Sequence, residues 1–159
     1  MAEDKKQDNL HVADAAYIAG IIDGEGTVTL SRKHKGDNPQ LVISIANTDY
    51  GLLDYMLTCI GTGKITRKRT VRSHHTPSAT YAIENRQALD LLEQVFPYLR
   101  TYKKERARLI LKYYIKLTPR NGKYTEELAT ERQEFVDHVL RVKSSTHGTS
   151  IPMKNFINT

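Results

Sequence analysis

The sequence predicts an α+β domain in which helices cover one face of a four-stranded antiparallel sheet. Three observations support this fold class: a helix-like apolar run changes to a period of two near residue 27, the period-two segments come in two pairs joined by turn-forming loops, and helix-like segments separate and follow those pairs. Strands that come as hairpins pair antiparallel, and the two hairpins most simply join in one sheet. The predicted element order is therefore αββαββα with further C-terminal helices.

We expect three parts along the chain: a flexible arm at 1–13, a folded domain at 14–143 and a patternless tail at 144–159. The first helix is predicted to begin at Asp14, whose side chain can cap it, and to continue through the apolar segment 15–22. The segment 23–26 then ends the helix, because its two glycines permit the backbone to turn. A short helix that is apolar on nearly every side must be covered all round, by its own domain or by a partner.

Alternation, caps and breakers place the remaining elements. In order they are strands at 27–33 and 40–47, a helix capped by Thr48 or Asp49 that runs to Ile60, strands at 64–72 and 79–84, and helices at 86–96, 103–117 and 125–142. We expect Tyr81 and Ile83 to point inward from the last strand. Leu128, Phe135 and Val139 form the predicted buried stripe of the last helix.

The composition indicates one folded domain that attracts polyanions. The 159 residues include 24 Lys and Arg against 18 Asp and Glu, which gives a formal charge of +6, and a net positive surface favours nucleic acid as a partner. Neither a signal-peptide pattern nor an apolar stretch of the roughly 20 residues that span a bilayer is found. With a single cysteine, Cys59, we expect an intracellular protein, cytoplasmic or organellar and not secreted.

The face of the sheet opposite the helices is predicted to bind DNA. Within the strands it carries hydroxyls and cations, and almost no carboxylate precedes Glu84. The predicted DNA contacts are Thr27, Thr29, Ser31, Lys33, Ser44, Lys64, Thr66, Lys68, Thr70, Arg72 and Thr80. A two-stranded ribbon fits the major groove of B-DNA, so these side chains can reach base edges. The alternative, a merely solvated sheet face, poorly explains the excess of cations.

The segment Tyr17-Ile18-Ala19-Gly20-Ile21-Ile22-Asp23-Gly24-Glu25-Gly26 resembles the signature of the LAGLIDADG homing endonucleases. Residues 18–26 align with it position by position, with conservative exchanges and with glycine in place of the second alanine at Gly24. The element order predicted from periodicity is also that of the family, and the segments 47–49 and 97–104 resemble its later landmarks. The resemblance spans about 15–117 and implies a homing-endonuclease-like αββαββα fold.

The resemblance implies a site-specific double-strand DNA endonuclease, intron- or intein-encoded, that hydrolyses phosphodiester bonds with Mg²⁺ or Mn²⁺. Because the chain has one motif and the family needs two such helices side by side, it implies a homodimer on a long pseudo-palindromic site. The predicted interface residues are Ala16, Ala19, Gly20 and Asp23. Ala16 and Gly20 are small enough to let two helix backbones approach closely. Asp23 is expected to fix the helix end and the neighbouring chain, or only to cap.

By the same resemblance, Glu25 aligns with the metal-binding acid of the family, and the Gly24 carbonyl is predicted to add a ligand. Carboxylate and carbonyl oxygens are hard ligands that suit Mg²⁺. Asp49 aligns with a position that helps order the attacking water, although it can also merely cap the second helix. Lys103 aligns with a basic residue near the scissile phosphate, and Lys104 is the alternative because the spacing departs from some relatives by one residue.

Two other functions stay open: an RNA maturase that assists intron splicing, and a non-catalytic DNA-binding regulator on the same scaffold. The acid at Glu25 argues against a loss of catalysis, because a carboxylate beside phosphates is repulsive unless a metal intervenes. The adjacent pair His74 and His75 lacks the spacing of a zinc site on a helix. We expect this hairpin tip to contact the DNA backbone.

Overall fold

The structure is a computed structural model that describes residues 9–67 and 77–144. Its elements are α1 (Val12–Glu25), β1 (Gly26–Ser31), β2 (Gln40–Asn47), α2 (Tyr50–Ile60), β3 (Lys64–Arg67), β4 (Ala79–Glu84), α3 (Asn85–Val95), α4 (Tyr102–Tyr113) and α5 (Glu126–Arg141), with a 3₁₀ turn at Phe96–Tyr98. Some predictions lie outside the described residues: most of the N-terminal arm, nearly all of the tail, the tip with His74 and His75, and the DNA contacts Lys68, Thr70 and Arg72.

The four strands form one antiparallel sheet, as predicted, and their order β1-β2-β4-β3 keeps the two strands of each predicted hairpin adjacent. The hairpins join through their second strands, and the register places Val28, Ile43 and Ile83 in one row across the sheet. All three side chains are buried, whereas their neighbours along each strand are more exposed. A slip of one residue would turn this row to solvent, so the buried face determines the register.

Helices cover only the inner face of the sheet. α1 packs on it with Ala15, Ile18, Ala19 and Ile22, a spacing of three and four residues that lines one side of a helix. α3 buries Ala88, Leu91, Leu92 and Val95 in the same way. α5 contributes Phe135 and Val139 as predicted, while Leu128 is only partly buried. None of the described helices covers the outer face of the sheet, and this open face is the surface predicted to bind DNA.

The predicted start of α1 is wrong, whereas its end lies within the predicted segment 23–26. The helix begins at Val12 after His11, and the Asp14 carboxylate does not cap it but accepts a hydrogen bond from the Tyr55 hydroxyl at 2.8 Å. It ends at Glu25, because the Gly26 N–H bonds to carbonyls of the last turn. A Cβ at Gly26 would lie 2.8 Å from the Ile22 Cα, so this tight exit from helix to strand requires glycine.

The ends of α2 and the start of α5 agree with their sequence signals, whereas α4 and β1 are shorter than predicted. Asp49, and not Thr48, is the N-cap of α2, and Gly61 ends that helix in the left-handed conformation with φ +76°. Thr125 caps α5. α4 stops at Tyr113 instead of residue 117, and β1 stops at Ser31 before Lys33. Among the residues that the structure describes, none of the helices has both the length and the apolar character to cross a membrane.

Candidate active site

Glu25 is the last residue of α1, and its side chain is exposed where the helix meets the sheet. Its Oε2 accepts a hydrogen bond from Nδ2 of Asn47, the last residue of β2. Gly24 lies in the last turn of α1, where backbone carbonyls lack donors within the helix. One carboxylate and one carbonyl are therefore offered at the same helix end.

The Glu25 carboxylate and the Gly24 carbonyl suit a magnesium ion whose other ligands come from water and substrate. Among residues 9–67 and 77–144, no three His, Cys, Asp or Glu side chains cluster closely enough to hold a metal ion. Mg²⁺ does not need such a cage, because it keeps several waters and is typically bound by one or two carboxylates together with phosphate oxygens of the substrate. The Glu25 carboxylate and the Gly24 carbonyl match that chemistry.

Lys103 and Asp23 join the end of α1 to the start of α4, an arrangement that we call the α1–α4 clasp. Lys103 Nζ donates to the carbonyls of Ile22 at 2.7 Å and Asp23 at 2.8 Å. In return, the Asp23 carboxylate accepts from the Arg100 N–H at 2.7 Å, and from the Thr101 N–H at 3.3 Å and hydroxyl at 2.6 Å. A cation thus lies at a helix C-terminus and an anion at an N-terminus, the stabilising sense of the helix dipole.

The structure distinguishes the two candidate lysines. Lys103 is 6% exposed, and burial lowers the pKa of its ammonium, although the Asp23 carboxylate acts in the opposite direction. Lys104 instead lies over the Phe96 ring, with 5.5 Å between its Nζ and the ring centroid. Lys103 is therefore the lysine held at the end of α1, where it faces backbone carbonyls.

Asp49 is connected to Glu25 through Asn47. The Asp49 carboxylate caps α2 by accepting from the Leu52 N–H at 3.2 Å, and the Asp49 N–H donates to Asn47 Oδ1 at 2.8 Å. The predicted capping role is present, and a role in ordering water stays a prediction. Asn47 itself was not assigned a role from the sequence. The sequence does contain one indication of its local role. Asn47 lies two residues before the capping Asp49, and asparagine side chains commonly hydrogen-bond the backbone two residues further along.

The predicted DNA contacts within the described strands share the open face. Residues paired across neighbouring strands point to the same side. One such row consists of Thr27, Ser44, Ala82 and Lys64, and Thr66 and Thr80 are paired in another. Thr29 and Ser31 alternate with buried residues of β1 and belong to the same face.

Four further residues that are not among the predicted DNA contacts also belong to this open face by register: Val42, Ala46, Ala82 and Glu84. Three of them are small or apolar, so the face is less polar than predicted. Lys33 lies beyond the end of β1, and its Nζ is 2.5 Å from a Glu84 carboxylate oxygen. The alternation of buried and exposed residues along β2 and β4 places these four residues on the open face.

The outward side of α1 combines small residues with the large, exposed side chain of Tyr17. Gly20 and Gly24 are exposed, and a Cβ at either position would meet no atom of residues 9–67 and 77–144 within 4 Å. Ala16 is partly exposed beside them. Ala19, in contrast, is fully buried on the core side of the helix, where its side chain packs within the protomer, and its place in an interface stays a prediction.

Comparison with known proteins identifies the family. A family model described as a LAGLIDADG-like domain matches residues 13–114, well over half of the chain. The chain belongs to the LAGLIDADG-like family. Its motif, residues 18–26, forms the last turns of α1 and the first residue of β1. The LAGLIDADG helix of this chain therefore buries its isoleucines at 18 and 22, turns Gly20 and Gly24 outward, and ends on Glu25.

Solved structures share the homing endonuclease fold with this LAGLIDADG chain. The homing endonuclease I-CvuI, in complex with its target in the presence of calcium, superimposes with a TM-score of 0.69 at 19% identity, covering 88% of each chain. The archaeal intron-encoded homing endonuclease I-Vdi141I, complexed with DNA, gives 0.65 at 17% identity and covers 86% of this chain and 87% of that one.

A longer LAGLIDADG protein matches over part of its length. The meganuclease I-AabMI, bound to uncleaved DNA, gives a TM-score of 0.59 at 22% identity, and the match covers 77% of this chain and 43% of that chain. The LAGLIDADG chain described here thus corresponds in length to I-CvuI and I-Vdi141I and to less than half of I-AabMI.

Proposed function

We propose that this LAGLIDADG protein is a site-specific endonuclease that cuts both strands of DNA with divalent metal and acts as a homodimer. The observation that carries the proposal is the position of Glu25. Its carboxylate is exposed at the end of α1, where the outward side of that helix meets the sheet. An acid at this position is close both to DNA bound on the open face of the sheet and to a second protomer packed against α1.

The outward side of α1 supports the homodimer. A helical glycine lowers stability by about 1 kcal/mol relative to alanine, and no neighbour in the described part of the protomer requires glycine at position 20 or 24. A second copy of α1 could pack closely against this side, because small residues at a helix–helix contact let the two helix axes approach each other. Around a two-fold axis the two Glu25 side chains would serve opposite DNA strands, which calls for a pseudo-palindromic target.

The open face of the sheet supports recognition of double-stranded DNA. It presents hydroxyls and Lys64 in register across the strands, and hydroxyl and amino groups can donate to base edges in the major groove. The complexes of I-CvuI and I-Vdi141I with DNA support the same substrate class. With a net charge of +6, binding is expected to weaken steeply as salt increases.

The residues at the end of α1 suit a bound divalent ion. The Glu25 carboxylate and the Gly24 carbonyl would hold it, and I-CvuI complexes studied with calcium and magnesium support its use. When bound, Mg²⁺ or Mn²⁺ supplies Lewis-acid polarisation of the phosphate and a water of lowered pKa. Lys103 holds the helix end that carries both ligands, and Asn47 holds the carboxylate.

Glu25→Gln tests the proposal. A duplex is first selected by the wild-type protein from a random-sequence library in EDTA, and it is then incubated with Mg²⁺ while its ends are mapped. The variant is expected to bind this duplex at least as tightly as wild type, because a charge that repels phosphates is removed, and to leave it uncut. The control Glu126→Gln, at an exposed acid on α5, is expected to cut normally. Cleavage by the Glu25 variant would contradict the catalytic assignment, and one chain per duplex in sedimentation would contradict the homodimer.

The same experiment separates the other functions. A non-catalytic regulator would bind the selected duplex and never cut it, and a maturase would prefer intron RNA to any duplex DNA. The exposed Glu25 favours the nuclease over the regulator, because an unneutralised carboxylate repels phosphates. The proposed substrate also favours an intracellular location, in a compartment that contains DNA.

A further inference from the structure

We propose that Asn47 is a positioning residue that orients the Glu25 carboxylate and thereby raises the affinity of the site for its divalent ion. The inference rests on the proposed function, and it adds a residue that the LAGLIDADG segment at 18–26 does not contain. The two side chains meet although they lie 22 positions apart in the sequence. Their contact joins the end of β2 to the end of α1.

The orientation of the Asn47 amide follows from its two partners. Its Oδ1 accepts from the Asp49 N–H at 2.8 Å, and its Nδ2 donates to Glu25 Oε2. Rotating the amide by half a turn would place its oxygen against the carboxylate and its NH₂ against the N–H, so that both contacts would become repulsive. The backbone of Asp49 therefore determines that Asn47 presents a donor to Glu25.

Asn47 is anchored more firmly than the carboxylate that it contacts. It is the last residue of β2 and pairs with Ala79 of β4, and the turn that follows it leads into the N-cap of α2. Glu25 is exposed at a helix end and has a long side chain whose rotamer freedom opposes a single ordered position. A hydrogen bond from the sheet to one carboxylate oxygen selects one rotamer in advance of metal binding.

Partners that hydrogen-bond to metal ligands fix their orientation, and their loss typically weakens metal binding about 10- to 100-fold. Within the described residues, Glu25 Oε2 receives the Asn47 amide, which leaves Oε1 for a cation. Asn47 carries no charge and has no competing role as a ligand in this arrangement. Its removal is therefore expected to change metal affinity without changing the charge of the DNA-binding surface.

A matched control exists in the same chain. Asn121 makes the same local turn, with its Oδ1 accepting from the Lys123 N–H at 3.0 Å, but it lies in the exposed segment between α4 and α5. Asn121→Ala removes the turn contact alone. Asn47→Ala removes the turn contact and the donor to Glu25. Asn47→Ser keeps a hydroxyl that can bond the backbone two residues on and is too short to reach Glu25.

The experiment measures Ca²⁺ binding by calorimetry in complexes of each variant with the duplex selected by the wild-type protein. We expect Asn47→Ala and Asn47→Ser to raise the half-saturating Ca²⁺ concentration about 10- to 100-fold, with Asn121→Ala unchanged. Affinity for the duplex in EDTA is expected to be equal for all four proteins. Thermal unfolding identifies any variant that does not fold, and the serine variant, which keeps the turn, then carries the test.

An unchanged Ca²⁺ midpoint in the folded Asn47 variants would overturn the inference while the proposed function stands. A shift in Asn47→Ala that is absent from Asn47→Ser would also overturn it, because the effect would then come from the lost turn contact and not from the lost donor to Glu25. A wild-type protein that selects no duplex, or whose complex binds no Ca²⁺, would overturn the proposed function itself and this inference with it.

Discussion

Replacing Lys103 by methionine tests whether the α1–α4 clasp stabilises the end of the LAGLIDADG helix. Methionine preserves most of the buried stem and removes the ammonium, which donates at 2.7 and 2.8 Å to two carbonyls. Hydrogen bonds from charged donors contribute about 1.5–3 kcal/mol each. The gross loss is therefore about 3–6 kcal/mol.

Two effects reduce that loss. Burying an ammonium disfavours its charged form, as the lowered pKa of Lys103 shows, and the Ile22 carbonyl keeps its hydrogen bond from the Gly26 N–H. We expect a net loss of about 2 kcal/mol, which for a chain of this size lowers the Tm by about 4–8 °C. The control Lys104→Met is expected to stay within about 0.5 kcal/mol of wild type. Chemical and thermal unfolding followed by circular dichroism measure both.

The contribution of Lys103 to folding stability is expected to rise with pH. Because the folded-state pKa of Lys103 lies below its unfolded value, the unfolded chain binds the proton more tightly, and the contribution of this group to stability rises with pH between the two values. The difference in stability between wild type and Lys103→Met should therefore grow as the pH approaches the ordinary lysine range. Equal Tm values for the two lysine variants, or a difference that shrinks with rising pH, would refute the clasp.

Three further predictions follow from single residues. Gly20→Leu should abolish dimers on DNA in sedimentation, while Gly20→Ala should raise the unfolding free energy of the protomer by about 0.5–1 kcal/mol; dimers that survive Gly20→Leu would exclude this helix face as the interface. Burial raises the pKa of the Tyr81 hydroxyl above its ordinary value, so the contribution of Tyr81 to folding stability is present below about pH 10 and is lost as the pH rises above it. Tyr81→Phe should therefore make stability fall less steeply at alkaline pH, and an unchanged slope would contradict this. Asp49→Ala should lose about 1 kcal/mol as an N-cap in urea titrations, and Thr48→Ala little; equal losses would count against the cap.

The faces of the sheet could be predicted because strand periodicity is a local property. Val28 and Thr27 point to opposite sides whatever the rest of the chain does, and the observed register keeps them there. The start of α1 could not be predicted in this way. The Asp14 carboxylate could cap a helix, but it accepts a hydrogen bond from the Tyr55 hydroxyl of α2, 41 positions away. A long-range contact therefore overrides the local preference.

The sequence by itself determined the element order, the open face of the sheet and the motif that contains Glu25, since each depends on spacing along a few neighbouring residues. Tertiary structure decided which lysine serves the helix end, that Ala19 belongs to the core, and that Asn47 meets Glu25. The hydrogen bond from Lys103 to the Asp23 carbonyl joins residues 80 positions apart. Such contacts depend on how helices and strands pack in three dimensions, and local periodicity carries no information about them.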